Sequence, residues 1–374
     1  MKLQRFKTVV KRRQALEKDL GLKLSKISKA LVESESKIHC ENLIGATILP
    51  LGVAGPLRFA SVYTDRVREV YIPLATTEGA LVASVNRGCK ALSLSDSVNI
   101  LVEKVGISRA PVFYIENISK GKYFENWLEK NFDKLSDVVR STSSHLRLLR
   151  YEFFLYPPYA YVRFFFDPDQ AMGMNMATIA VKAISEYVLK KLKIDCLALS
   201  GNLCVDKKPS FLNFVTGRGF KVWAEVLLPD KVLNNILKTD ASRFLSVFYS
   251  KNLYGSLISG SISANAHFAN IVSAFYSAVG QDLAHTVEGS LGTVFAEKRK
   301  ESLYFCVHLP AVLLGVVGGG TKLDIKQEAI SITNSGNSIE LAEVLGGAVL
   351  AGELSLLSSL AEGSLAGAHK KLGR

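Results

Sequence analysis

A chain of 374 residues, at about 150 per domain, has room for two or three domains and a large core. Apolar residues make up 48% and charged residues 21%, which excludes a disordered chain. The 46 Lys and Arg against 34 Asp and Glu leave a net +12, which favours anionic ligands (nucleotides, coenzymes, anionic lipid, nucleic acid) and is silent on fold.

No stretch reaches the roughly 18 uninterrupted apolar residues of a spanning helix, so an integral membrane protein is not expected. The first 36 residues predict a basic helix, with Phe6, Val9, Val10 and Leu16 near helical spacing. It lacks the apolar centre of a secretory signal. Its charge reads as the solvated face of a docking helix or as an arm for a membrane surface or nucleic acid. The segment 41–57, ENLIGATILPLGVAGPL, predicts strand and turn. Residues 76–92 predict a helix with Glu78 in its first turn, followed by Ser84, Asn86, Arg87 and Lys90. That pattern is either a capped helix with a solvated face or a carboxylic acid beside an anion-binding helix.

From 110 to 198 the texture changes. Aromatic strand candidates (PVFYIE, YEFFLY, YAYVRFFF) alternate with helices expected at 122–148 and 173–193, which predicts a small α+β unit inside a larger domain. Within it, AMGMNM concentrates three of four methionines, which reads as core filling or as a flat ligand platform opened by Gly173. The loop SGNLCVDKKP follows, then a strand at VWAEVLLP, a helical run at 262–280, and helices at 338–351 and 353–366.

Five cysteines at 40, 89, 196, 204 and 306 form no CxxC or Cys/His cluster, which suggests reduced thiols in a cytoplasmic protein. With the six histidines scattered, no metal site is expected. P-loop, HExxH and GxSxG sequences are absent, and no GxGxxG follows a strand, so P-loop hydrolases, zincins, serine esterases and ordinary dinucleotide folds are disfavoured. Polar residues in turn-forming surroundings remain. Lys207 beside Asp206 is either solvated or an electrophile for a carbonyl oxygen. His267 and Asn270 share a helix face, with Asp282 twelve residues beyond Asn270. The triple glycine of GVVGGGT is a plain turn or a backbone cradle.

Taken in order, the strings ENLIGATILPLGVAGPL, ATTEGALVASVNRGCKAL, AMGMNMAT, SGNLCVDKKP, NAHFANIV, GQD, GVVGGGT and AGELSLLSSLAEGSLAGAH resemble the 3-hydroxy-3-methylglutaryl-coenzyme A reductase family, covering about 41–369. The CVDKKP loop resembles the class of eukaryotes and archaea. The resemblance implies an α+β protein. It would comprise a helical N-terminal region at 1–40, a large substrate-binding and dimerisation domain at 41–109 and 199–374, and a small ferredoxin-like cofactor domain at 110–198. It also implies reduction of the thioester to mevalonate and coenzyme A with two NADPH, NADH not being excluded, by a homodimer or dimer of dimers.

By the same resemblance Lys207 polarises the carbonyl, Glu78 as a neutral acid supplies a proton, Asp282 tunes both, and His369 protonates the coenzyme A thiolate. Arg109, Ser200, Asp206, Lys208 and Asn270 would hold the hydroxymethylglutaryl end, and Ser84, Asn86, Arg87, Lys90 and His267 coenzyme A. Met172, Gly173, Met174, Asn175 and Met176 would face the dinucleotide, with Gly318, Gly319 and Gly320 approaching it from the large domain. Two departures fall in the cofactor stretch. Asp169-Gln170 stands where the family has Gly-Asp, and Ser144-His145 where it has Arg-Phe, leaving Arg147 or Arg150 to meet a 2′-phosphate. The rival readings are a mevalonate-oxidising, NAD-dependent form of the same scaffold and a non-catalytic binder of coenzyme A or nucleic acid.

Overall fold

The computed structural model describes residues 7–20, 23, 38–95 and 97–363. The N-terminal helix expectation is met over α1 (Val9–Leu20), whose Val9 is buried and whose Arg12 Nε donates to Leu43 O at 2.8 Å. The rest of that region lies largely outside the described residues, and His369 lies wholly outside them.

Strand β1 (Leu51–Ser61) turns back as β2 (Arg66–Ala75), and helix α2 (Leu81–Ser93) leads into β3 (Val98–Arg109). Next come β4 (Val112–Tyr114), α3 (Ile118–Lys130), α4 (Phe132–Thr142), β5 (Arg147–Tyr156), β6 (Tyr159–Asp167), α5 (Met174–Leu192) and β7 (Cys196–Ala198). After a loop the chain continues through α6 (Phe211–Thr216), β8 (Gly219–Pro229), α7 (Ala241–Val247), α8 (Phe268–Ala278), β9 (Thr293–Arg299), β10 (Ser302–Val312), α9 (Asp324–Ile332) and α10 (Ser338–Glu362).

Two hydrophobic clusters divide these elements. The larger gathers the inner faces of β1, β2, β3, β8, β9 and β10 around α10, α2 and α8. The smaller unites β4, β5 and β6 with α3, α4 and α5. In that smaller unit strands β7-β4-β6-β5 lie side by side, all antiparallel, in the chain order β-α-α-β-β-α-β, a split βαβ arrangement whose first crossover is made of two helices. The two units share β3. Its first nine residues pair with β8, and Ile107–Arg109 then pair with β6. The change of partner comes at Gly106, where φ is +91° and a Cβ would stand 2.7 Å from Phe166 O, so only glycine fits. This crossing delivers Ser108 and Arg109 to the seam between the units.

Four expectations need correcting. Helix α2 begins at Leu81, not 76, because Ala80 is left-handed (φ +72°) and the Glu78 N–H is taken by Thr76 Oγ at 2.9 Å; Glu78 therefore sits in the turn before the helix. The run expected at 122–148 is two helices parted at Asn131, and that at 262–280 shortens to Phe268–Ala278. The two C-terminal helices are one. Gly352 inside α10 does not break it, since a Cβ there would lie 2.3 Å from Ile271 Cδ1, and the glycine serves close packing. Helix α10 has the length and apolar character of a membrane span (mean hydropathy 1.6), but 83% of its apolar window is buried inside the fold.

Candidate active site

Residues 200–209 form a loop between β7 and α6 whose backbone turns left-handed at Asn202, Val205 and Lys207. The last turn aims Lys207 Nζ at Asp282 Oδ2, 2.7 Å away. Asp282 stands just past the C-terminal end of α8, where Gly280 (φ +73°) reverses the chain and Asp282 Oδ1 accepts the Ala284 N–H at 3.0 Å. Burial pushes the Asp282 carboxyl up, but the Lys207 ammonium, the His285 ring and that amide outweigh it, holding the acid below the ordinary carboxylate range.

Behind this pair lies a buried polar network. Asp206 accepts from His285 Nε2 at 3.0 Å and pairs with Arg218 Nη2 at 3.1 Å and Arg109 Nη1 at 3.6 Å. Desolvation raises its pKa and these partners reverse that, leaving Asp206 ionised far into acid. Arg218 and Glu288, both fully buried, pair at 2.6 Å, and Glu288 also accepts from the Lys207 N–H at 2.9 Å and Asn213 Nδ2 at 3.1 Å. Asn213 Oδ1 in turn accepts from the buried Arg163 Nη2 at 2.8 Å. Asp206, His285 and Glu288 bring possible ligand atoms within 4.8 Å of one another, but the Arg218 guanidinium already neutralises that cluster.

Sequence reasoning missed His285, Glu288, Arg163 and Ser108, whose Oγ accepts from Arg218 Nε at 3.0 Å, as parts of this network. One signal was present: Asp282, His285 and Glu288 recur every third residue, the spacing of one face of a helical turn.

Lys207 and Asp282 open onto a cleft of about 510 Å³ between the two units, lined on one side by Met172 to Met176 and on the other by Gly315 and Gly318 to Thr321. Gln281 fixes the glycine wall, donating to Gly315 O and accepting from Gly315 N, each at 2.9 Å. Helix α5 starts at Gly173 with no side-chain cap, so its free N–H groups face the cleft. Gly318 and Gly319 have no atom within 4 Å of where a Cβ would be, leaving their backbone open to a ligand. An extended anionic cofactor with a flat ring fits this donor set. The methionines serve both readings at once: Met174 is buried against Arg218, while Met172 and Met176 are half-buried at the cleft wall.

Gln170 is turned away from the cleft wall, its Oε1 accepting from Ser338 N at 2.9 Å at the start of α10. Arg147 pairs with Asp167 at 2.5 Å, and Arg150 with Glu152 at 2.7 Å.

The other predicted residues form three groups. Arg109 donates to Ser200 Oγ at 3.2 Å and Thr178 Oγ1 at 2.8 Å, and Lys208 Nζ to Asp206 O at 3.1 Å, so these stay with Lys207. Glu78 accepts twice from Asn270 Nδ2, at 2.8 and 2.9 Å, and makes no bond to Lys207 or Asp282 of its own chain. Helix α8 separates the two pairs, with Asn270 in its first turn and Asp282 beyond its last. In the third group, Ser84 and Arg87 bind Ser355 of α10 at 2.9 and 3.0 Å, Asn86 accepts from Gly55 N at 3.1 Å, and Lys90 is exposed. His267 is held at the start of α8 by the buried Glu353, Nδ1 to Oε1 2.8 Å.

Comparison with known proteins identifies the family. The family model described as hydroxymethylglutaryl-coenzyme A reductase matches residues 8–374. The 3-hydroxy-3-methylglutaryl-coenzyme A reductase of Methanothermobacter thermautotrophicus is 43% identical over 97% of this chain and 92% of its own. That of Methanocaldococcus jannaschii is 42% identical with the same coverage. The class II reductase of Streptococcus pneumoniae, solved bound to NADPH in open conformations, shares the fold with a TM-score of 0.69 over 95% of this chain and 97% of that one, at 16% identity.

Proposed function

The chain belongs to the hydroxymethylglutaryl-coenzyme A reductase family and reduces 3-hydroxy-3-methylglutaryl-coenzyme A to mevalonate, and from that premise we propose how its own residues carry the reaction. The observation that supports the assignment is the Lys207–Asp282 pair opening onto a glycine-walled cleft. A nicotinamide dinucleotide bound there supplies two hydrides.

Lys207 donates a hydrogen bond to the thioester carbonyl oxygen and stabilises the negative charge that gathers on it as hydride reaches the carbon. Asp282, 2.7 Å away, keeps that ammonium aimed. When the tetrahedral species collapses, the C–S bond breaks and the aldehyde forms; His369 gives its proton to the departing coenzyme A thiolate. In the second reduction Lys207 again polarises the carbonyl, and Glu78 protonates the alkoxide to give the alcohol. Arg109, Ser200, Asp206, Lys208 and Asn270 orient the hydroxymethylglutaryl end. Ser84, Asn86, Arg87, Lys90 and His267 hold coenzyme A. Met172 to Met176 of the small unit at 110–198 would hold the cofactor, with Gly318 to Gly320 approaching it from the large unit.

NADPH is the proposed reductant. The Ser141–His145 stretch meets the cleft wall through Ser143, whose Oγ lies 3.6 Å from Met176 Sδ, and Arg147 just beyond it, exposed and paired with Asp167, is the side chain proposed to meet a 2′-phosphate. Free thiols at all five cysteines fit a cytoplasmic location. The assembly is a homodimer or dimer of dimers, because one chain holds Glu78 and Lys207 in separate places.

The test follows consumption of reduced cofactor with the thioester, using NADPH and NADH in parallel, in the parent protein and in Lys207→Ala. Loss of an oxyanion-stabilising cation lowers kcat by at least about 10²–10³-fold. Dinucleotide binding and the folded spectrum stay unchanged. Substantial residual turnover in Lys207→Ala would overturn the role of Lys207, and faster turnover with NADH would overturn the cofactor preference.

A further inference from the structure

The loop that carries Lys207 adopts a conformation it would not keep alone. Asn202, Val205 and Lys207 have φ values of +64°, +51° and +60°. For β-branched Val205 this is a true outlier, and such strain persists only where the surroundings over-determine it. They do so here. Ser108 Oγ donates to Cys204 O at 3.0 Å, Asn213 Nδ2 to Val205 O at 3.0 Å, and the Lys207 N–H donates to Glu288 Oε1 at 2.9 Å.

Among these anchors Glu288 alone grips the backbone of Lys207. It is fully buried, does not line the cleft, and is itself fixed by Arg218 at 2.6 Å and Asn213 at 3.1 Å. Its carboxylate thus joins the buried framework directly to the residue whose ammonium must reach both Asp282 and the substrate carbonyl.

We propose that Glu288 is a positioning residue: by accepting the Lys207 N–H it fixes the left-handed turn from which the Lys207 ammonium is presented, without itself touching substrate. The role rests on the reading of Lys207 given above. A side chain displaced by an ångström from its productive place loses about 10²-fold in rate while ground-state binding is largely kept. The loss therefore belongs in kcat.

Glu288→Ala and Glu288→Gln are compared with the parent and with Lys207→Ala, reading kcat and KM for the thioester alongside dinucleotide affinity. Glu288→Ala lowers kcat about 10²-fold with KM within about threefold and dinucleotide affinity retained. Glu288→Gln, which keeps the acceptor for the Lys207 N–H, recovers at least about tenfold of that loss. Glu288→Ala with kcat within threefold of the parent, or Glu288→Gln no better than Glu288→Ala, overturns the role. Should Glu288→Ala fail to fold, because it leaves Arg218 partly uncompensated, Glu288→Gln decides. A kcat within about tenfold of the parent upholds the role, and a loss as deep as that of Lys207→Ala overturns it. Turnover retained by Lys207→Ala would instead sink the underlying reading. An inactive Lys207→Ala beside an unimpaired Glu288→Ala would sink the positioning role alone.

Discussion

His308 sits on β10 with its ring stacked on Trp223 of β8, centroids 4.9 Å apart and planes within 14°. Its Nε2 is buried without a hydrogen-bond partner, and burial, helped by the Lys221 ammonium, lowers its pKa to about 4. A folded-state pKa below the unfolded value means that the unfolded chain binds the extra proton first. The stability this group contributes is therefore complete above about pH 6.5 and is lost as pH falls toward 4; allowing for its partial exposure, the loss is about 1–2 kcal/mol. Asp206 and Asp282, also held below their ordinary range, act with the same sign in a lower window, being lost only as pH falls beneath the normal carboxylate pKa. The two windows can be separated. His308→Phe, which keeps the stack, should flatten denaturant-measured stability between pH 6.5 and 4 while leaving the steeper acid loss below it. An unchanged slope in the upper window would show that His308 is not the group responsible.

Among the elements, α10 is the one against which both helices proposed to hold substrate, α2 and α8, are fixed. Its small residues let neighbours approach: a Cβ on Gly88 of α2 would lie 2.0 Å from Ala351 O, a backbone atom with nowhere to yield. On the same helix α2, Ser84 and Arg87 bond to Ser355, while Glu353 of α10 fixes His267 at the start of α8. Gly88→Ala should push α2 from α10 at a cost of about 1–3 kcal/mol, exceeding the ~1 kcal/mol that alanine gains in helix propensity. Thermal unfolding should then fall, and KM for the thioester should rise more than that for the dinucleotide. An unchanged melting temperature would mean the contact relaxes freely. Glycines of this kind explain why the element boundaries were hard to read: Gly352 looks like a helix break and is a packing contact, whereas Ala80, which looks helical, is left-handed. The strands were easier, because the aromatic runs of β5 and β6 stand together between helices α4 and α5, and their order on the chain already implies the split arrangement. Buried polar networks leave little periodic trace beyond the every-third-residue spacing of Asp282, His285 and Glu288, so Lys207 and Asp282 stood out through their motifs and Arg163 did not stand out at all.

For the molecule as a whole, the decisive geometry is the separation of Glu78–Asn270 from Lys207–Asp282. Asn270 lies in the first turn of helix α8 and Asp282 four residues past its last, with about 12 Å of helix between at 1.5 Å per residue, and Glu78 makes no bond to Lys207 or Asp282 of its own chain. On the proposed roles of these residues, the turn before α2 and the cleft between the units would be two half-sites, which a two-fold dimer apposing unlike halves would complete. Mixing tests this directly. Glu78→Gln and Lys207→Ala are each expected to be inactive alone, yet a hybrid dimer of the two retains one site with both residues intact. Co-refolded in equal amounts, half the dimers are hybrids with one working site of two, so activity should return to about a quarter of the parent value. Reactivation that tracks subunit exchange would establish a shared site. A mixture that stays inactive, while size-exclusion and labelled-subunit exchange show hybrids present, would place the reacting acid elsewhere in the same chain.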